Sequence, residues 1–174
     1  TSPGYNAGFH YGKDYDDNKP YDEYLQDTLK GFPLYSKLLR PGGRVIYIVG
    51  SIAKKSERDD HGDYNHQIIT DLISGVKQIS PELRLFNQII WDKGNSGKDP
   101  LNNRFGSYAS PKAPMTRCCH EHILVWSNEQ FELDNIEGNE PDITPEEFKE
   151  WAWSVWTVAP YVKGGNPHPC SFAP

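Results

Sequence analysis

Leu39-Arg40-Pro41-Gly42-Gly43-Arg44-Val45-Ile46-Tyr47-Ile48-Val49-Gly50 is the stretch from which the fold can be read. Pro41 cannot continue a helix, and the Gly42-Gly43 pair supplies the turn that follows. Val45 to Val49 is an unbroken apolar run, which predicts a fully buried strand that Gly50 ends. The glycine pair precedes a strand and not a helix N-terminus, so it reads as a turn and not as a phosphate cradle. Upstream, Tyr24, Leu25, Leu29, Phe32, Tyr35, Leu38 and Leu39 recur at helical spacing. Pro33 splits that segment into a helix and a following turn. Downstream, residues 51–62 read as a polar loop. His66 to Ile79 reads as a helix with Ile69, Leu72, Ile73 and Val76 inward. Leu83 to Trp91 and Ile123 to Trp126 read as two further strands. Helix–strand alternation with apolar strands predicts an α/β sheet with helices on both faces. Ligands in such sheets bind beyond the carboxyl ends of the strands. The loops at those ends are 50–62 and 92–117, joined by 1–20 if a strand precedes Thr1.

A chain of 174 residues can form one domain with a sizeable core. It has no apolar run near the length of a membrane span and no stretch resembling a signal peptide. Its three cysteines, of which Cys118 and Cys119 are adjacent, make no disulfide framework, so reduced thiols in a cytoplasmic protein are expected. A net charge of -6 argues mildly against a nucleic-acid partner, but the charge is unevenly spread. Residues 129–150 carry nine acidic side chains and one lysine, which reads as an acidic insertion or linker. Residues 81–117 carry Arg84, Lys93, Lys98, Arg104, Lys112 and Arg117 against Glu82, Asp92 and Asp99. A basic surface on an acidic protein is the consequence. Within the acidic stretch, Thr144, Pro145 and Glu147 form a capping box, which predicts a short helix. Trp151, Trp153 and Trp156 follow it; they suit core or loop anchoring better than base stacking. In His120-Glu121-His122 a strand would turn Glu121 away from both histidines, and spaced Cys or His partners are lacking, so no metal site is expected.

The first residues, Thr1-Ser2-Pro3-Gly4-Tyr5-Asn6, carry the chemistry. The Ser2 hydroxyl can accept a hydrogen bond, the Pro3 carbonyl has lone pairs, and Tyr5 offers a ring for stacking. An amine held between two acceptors keeps its nitrogen lone pair aimed at an electrophile. An alternative, Thr1 as an N-terminal nucleophile, accounts for nothing downstream. Use of the Trp-rich segment as a plain interaction module is a further alternative.

This hexapeptide resembles the Ser-Pro-Pro-Tyr catalytic motif of amino-methylating DNA methyltransferases, with Gly4 in place of the second proline. Further elements follow in the family's order. Leu39-Arg40-Pro41-Gly42-Gly43-Arg44 precedes the buried strand, and Ile89-Ile90-Trp91-Asp92-Lys93-Gly94 spans the next strand and its loop. Gly106-Ser107-Tyr108-Ala109-Ser110-Pro111, Arg117 and His120-Glu121-His122-Ile123-Leu124-Val125-Trp126-Ser127 are similar to another family block, and the strand near 120–128 is expected to be antiparallel. Ser154-Val155-Trp156 and His168-Pro169-Cys170-Ser171-Phe172 resemble two more.

The resemblance implies a Rossmann-like S-adenosylmethionine-dependent methyltransferase sheet in the permuted class, with the catalytic half before the cofactor half. Residues 1–174 would then form a single, incomplete domain, because the family continues past this point into a Gly-rich segment that holds the methionine part of S-adenosylmethionine. Ser2, Pro3 and Tyr5 would be catalytic; Asn6, Gly50, His168 and Phe172 would lie at the cofactor. Residues 94–117 would contact double-stranded DNA through Lys98, Arg104, Ser107, Ser110, Lys112 and Arg117. The enzyme would flip a base out of the duplex. Ser at position 2 is typical of the cytosine N4 group and Asp of the adenine N6 group, which makes cytosine N4 the implied target. The alternatives are adenine N6, or a split DNA-binding subunit that is inactive without a cofactor-binding partner. A homodimer or a complementing chain, and an accompanying restriction enzyme, belong to the same expectation.

Overall fold

The computed structural model describes residues 1–8, 15–50, 53–59, 62–65, 67–93, 119–134, 138 and 140–159, with backbone only for 53–59 and 62–65. In chain order the elements are α1 (Tyr21–Leu29), α2 (Phe32–Leu38), β1 (Arg44–Val49), β2 (Ala53–Asp59) and β3 (Gly62–Asn65). They continue with α3 (Ile68–Ile79), β4 (Leu83–Asp92), β5 (His120–Asn128), α4 (Pro145–Trp151) and β6 (Val155–Thr157). The main sheet has the order β1-β5-β4-β6. Strand β5 runs antiparallel to both β1 and β4, and β6 runs parallel to β4. β1, β4 and β6 therefore share a direction, and their carboxyl ends gather at one sheet edge beside the amino end of β5. Thr1 adds a parallel step on the free edge of β1: its amine donates to Ile46 O at 2.7 Å, and Ile48 N–H donates to Thr1 O at 2.9 Å.

Register decides which side chains share a face. Val45 lies opposite Trp126, Tyr47 opposite Leu124 and Leu83 opposite Asn128. This face packs on Tyr24 of α1, Phe32 of α2, and Ile68, Leu72 and Val76 of α3. Phe32 is fully enclosed, with ring centroids 5.4 Å from Tyr47 and 5.2 Å from Trp126. Helices α1, α2 and α3 pack on this face.

Several expectations need correction. Ile46 is 48% exposed, so β1 alternates in burial and is not enclosed on both faces. Pro33 does not end helical structure; it opens α2, in the first turn, where a missing N–H breaks no helical bond. The polar loop expected over 51–62 contains β2 and the start of β3, an antiparallel pair outside the main sheet. Trp153 is 70% exposed and Trp151 51%, so neither is a core residue, although Trp156 anchors its loop by donating Nε1–H to Trp151 O at 3.0 Å. The capping box forms as expected: Glu147 N–H donates to Thr144 Oγ1 and Thr144 N–H to Glu147 Oε2. No described helix is long and apolar enough to cross a membrane.

Candidate active site at the sheet edge

The first loop leaves β1 at Thr1 and is pinned by a buried carboxylate. Asp17 accepts from Asn6 N–H at 2.9 Å and from Ala7 N–H at 3.0 Å, while its carbonyl accepts from Gly8 N–H at 2.8 Å. Asn6 adopts the left-handed conformation, φ 57°, which Asn tolerates better than most residues. Its side chain bridges the loop, donating Nδ2–H to Lys19 O and accepting Lys19 N–H at Oδ1, both at 2.8 Å. Asn6, expected at the cofactor, thus has both amide atoms engaged within the protein.

Gly4 stands where this clamp leaves no room for a side chain. A Cβ there would lie 2.8 Å from Asp17 Oδ1, 2.6 Å from Tyr15 Oη and 2.9 Å from Tyr15 Cε1. The loop is therefore held by Asp17 with Gly4 in place, and the proline of the family motif would require Tyr15 and Asp17 to shift.

Tyr5 joins this loop to the sheet. Its hydroxyl donates to Glu121 Oε2 at 3.0 Å and accepts from Ser2 Oγ–H at 3.2 Å. Glu121 lies near the amino end of β5 and is 7% exposed; it also forms an ion pair with Lys93, just past the end of β4. The Lys93 ammonium stands 5.0 Å over the Trp91 ring, a second favourable partner for the cation. Gly50, directly after β1, closes the gap: a Cβ there would lie 3.2 Å from Glu121 Cγ and 3.4 Å from Tyr5 Cε2. Ser2, Tyr5 and Gly50 thus come together at the carboxyl edge of β1 and β4, where an open α/β sheet places its ligands.

On the opposite face of β5, His120 and His122 stack edge-on with centroids 5.0 Å apart. Gln88 Nε2 lies 2.8 Å from His122 Nδ1, within hydrogen-bond distance. Burial, and then the charge of His120, hold the His122 pKa below its ordinary value. Among the described residues no three His, Cys, Asp or Glu side chains cluster as metal ligands.

Lys98, Arg104, Ser107, Ser110, Lys112 and Arg117 lie outside the described residues, as do His168 and Phe172. The sequence reading missed the roles of Glu121, Lys93 and Asp17. For Glu121 a signal existed: a carboxylate directly ahead of the apolar run Ile123 to Trp126, on the same strand, requires a partner where it is buried.

The chain is 30% identical to the type II methyltransferase M.MjaVI of Methanocaldococcus jannaschii over 159 residues, covering 90% of this chain and 73% of that protein. Among solved structures it is similar to TTHA0409, a candidate DNA modification methylase from Thermus thermophilus complexed with S-adenosyl-L-methionine. That match has a TM-score of 0.61 and 19% identity, covering 90% of this chain and 56% of the other. It is also similar to PvuII DNA methyltransferase (cytosine-N4-specific), with a TM-score of 0.56 and 11% identity, covering 95% of this chain and 51% of the other. The chain thus spans about half the length of these solved structures. No protein-family model matches the sequence. The two structures share its open α/β methyltransferase sheet. With this fold and the similarity to M.MjaVI across most of both sequences, the chain belongs to the family of type II DNA methyltransferases.

Proposed function

We propose that the chain provides the base-gripping side of a DNA methyltransferase that moves the methyl group of S-adenosylmethionine to the exocyclic amine of a flipped base. Cytosine N4 is the proposed target, with adenine N6 as the alternative. One observation carries the reading: Ser2 and Tyr5 are joined in one hydrogen-bonded set at the carboxyl edge of the sheet. Ser2 Oγ and the Pro3 carbonyl accept from the amine, and Tyr5 stacks on the extruded ring. S-adenosylmethionine, when bound, supplies the electrophilic methyl. The protein contributes position and a polar setting, and no strong base is required before attack.

Of the residues proposed at the cofactor, Gly50 borders the Tyr5 ring, while Asn6 maintains the shape of the loop. His168 and Phe172 complete the proposed set. Residues 94–117 are proposed to hold duplex DNA through Lys98, Arg104, Ser107, Ser110, Lys112 and Arg117. The permuted order, a cytoplasmic location and a companion restriction enzyme are parts of the same reading. The similarity to a type II methyltransferase supports the last. A second reading, in which further sequence, a second copy or a complementing chain supplies the cofactor half, is favoured by the 56% share of the cofactor-complexed relative that this chain covers.

The test is transfer of tritiated methyl to duplex DNA, followed by digestion to nucleosides. N4-methylcytosine is expected, and N6-methyladenine would select the alternative target. Ser2→Ala and Tyr5→Ala should each lower transfer by about 100-fold or more while DNA retention persists. Full labelling by either variant would sink the assigned roles. Titration of the chain with S-adenosylmethionine in a calorimeter separates the two readings, since only the second expects no heat.

A further inference from the structure

We propose that Glu121, held by Lys93, is a positioning residue that sets the hydrogen-bond direction through Tyr5, so that Ser2 Oγ faces the base as an acceptor and selects amino-bearing bases over keto-bearing ones. This inference rests on the methyl-transfer reading of the loop. The ammonium of Lys93 is a donor only, and a carboxylate paired with it is an acceptor only. Tyr5 has a single hydroxyl proton, and Glu121 Oε2, 3.0 Å away, takes it. The Tyr5 oxygen can then only accept from Ser2, 3.2 Å away, so the Ser2 proton also points inward. What Ser2 presents outward is lone pairs. An exocyclic amine satisfies them, whereas a carbonyl oxygen in the same place faces another acceptor and leaves both unpaired.

A carboxamide at position 121 removes the constraint. Its NH2 can donate to Tyr5, Tyr5 can then donate to Ser2, and the Ser2 proton is free to point at the base. Tyr5→Phe cuts the same chain at its middle link.

The test uses the full chain and two nucleotides of one size, cytidine 5′-monophosphate (amine) and uridine 5′-monophosphate (keto), with binding read by ligand-observed NMR. The wild type should prefer the cytidine nucleotide by at least about tenfold. Glu121→Gln and Tyr5→Phe should each bring that ratio within about twofold, and the double variant should change it no further. A wild-type ratio near one, or a ratio that survives in either folded variant, overturns the inference. If Glu121→Gln fails to fold, Tyr5→Phe alone decides. Failure of both nucleotides to bind the wild type overturns this inference, whereas the methyl-transfer reading is decided separately by transfer to duplex DNA. Methyl transfer to DNA without nucleotide preference leaves that reading standing and overturns only the inference.

Discussion

Tyr5 Oη stands 3.0 Å from Glu121 Oε2, a bond between residues 116 positions apart. It ties the first loop to β5, and the Lys93–Glu121 ion pair ties β5 to the end of β4. Loop and sheet edge therefore behave as one structure.

Removing Lys93 tests that unity. The side chains of Lys93 and Glu121 are only 17% and 10% exposed, so Lys93→Met leaves a nearly buried carboxylate without its counter-ion. A fully buried pair broken on one side costs about 3–5 kcal/mol; the residual exposure here lowers the expected loss to about 2–3 kcal/mol. The double variant Lys93→Met/Glu121→Gln should recover part of it, because no unpaired charge remains. Urea unfolding of the four proteins measures the coupling, and additive losses would show that the pair acts as two independent residues.

Gly4→Pro should destabilise the protein. Stiffening the unfolded chain is worth only about 0.4–1 kcal/mol. Against it stands a Cβ 2.8 Å from an Asp17 oxygen that already accepts Asn6 N–H. Overpacking of that kind costs about 1–3 kcal/mol, so the net sign is a loss. Gly4→Ala should show the same direction. A higher melting temperature for either variant would mean that Asp17 and Tyr15 move aside freely.

These contacts mark where sequence reading stops. The run Val45 to Val49 and the helical spacing of α1–α3 are local patterns, and they correctly located the strand and the core helices, as the burial of Val45, Tyr47, Val49, Phe32, Leu72 and Val76 shows. The β2–β3 pair was illegible because Lys54, Lys55, Ser56, Glu57 and Arg58 present no apolar alternation. Ser2 and Tyr5 were legible as a hydrogen-bonding hydroxyl and an aromatic ring on one loop. Their link to Glu121 was not. Period-two alternation places Glu121 on the face opposite His120 and His122, but nothing local says that positions 5 and 93 meet it there. The Asp17 clamp is equally silent, since a segment rich in Gly, Asp and Tyr predicts only a loop.

Asn128 fastens α2 to the sheet. Its Nδ2–H groups donate to Ser36 O at 3.1 Å and Leu39 O at 2.9 Å, satisfying carbonyls at a helix end that is otherwise without partners in the helix. Asn128→Ala should cost about 1–3 kcal/mol, the loss of buried acceptors' donors. Asn128→Asp should cost more, although it is closer in shape, because it turns a carboxylate oxygen toward two carbonyl oxygens. Thermal melts of the two variants decide the order; equal losses would show that shape and not donor chemistry matters at this site.

The pH dependence of stability should carry a mark of His122. Burial holds its folded-state pKa below the ordinary 6.5, so the folded protein prefers the neutral ring and the unfolded chain binds the proton more readily. Above the unfolded value both states are neutral and the group contributes nothing to the difference. As pH falls through 6.5 toward the depressed folded value, the unfolded chain gains protons first and stability drops. The lowered carboxylates act in a separate window. Glu82 and Glu147 lose their contribution below their ordinary 4.5, and Asp27, paired with Lys19 and Lys30, as pH falls from 3.8 toward about 2. Melting temperatures between pH 7.5 and pH 5 therefore isolate the histidine window. The wild type should lose stability across it, and His122→Gln, which keeps a polar group beside Gln88, should lose measurably less. Parallel curves for the two proteins would assign the slope to the remaining histidines.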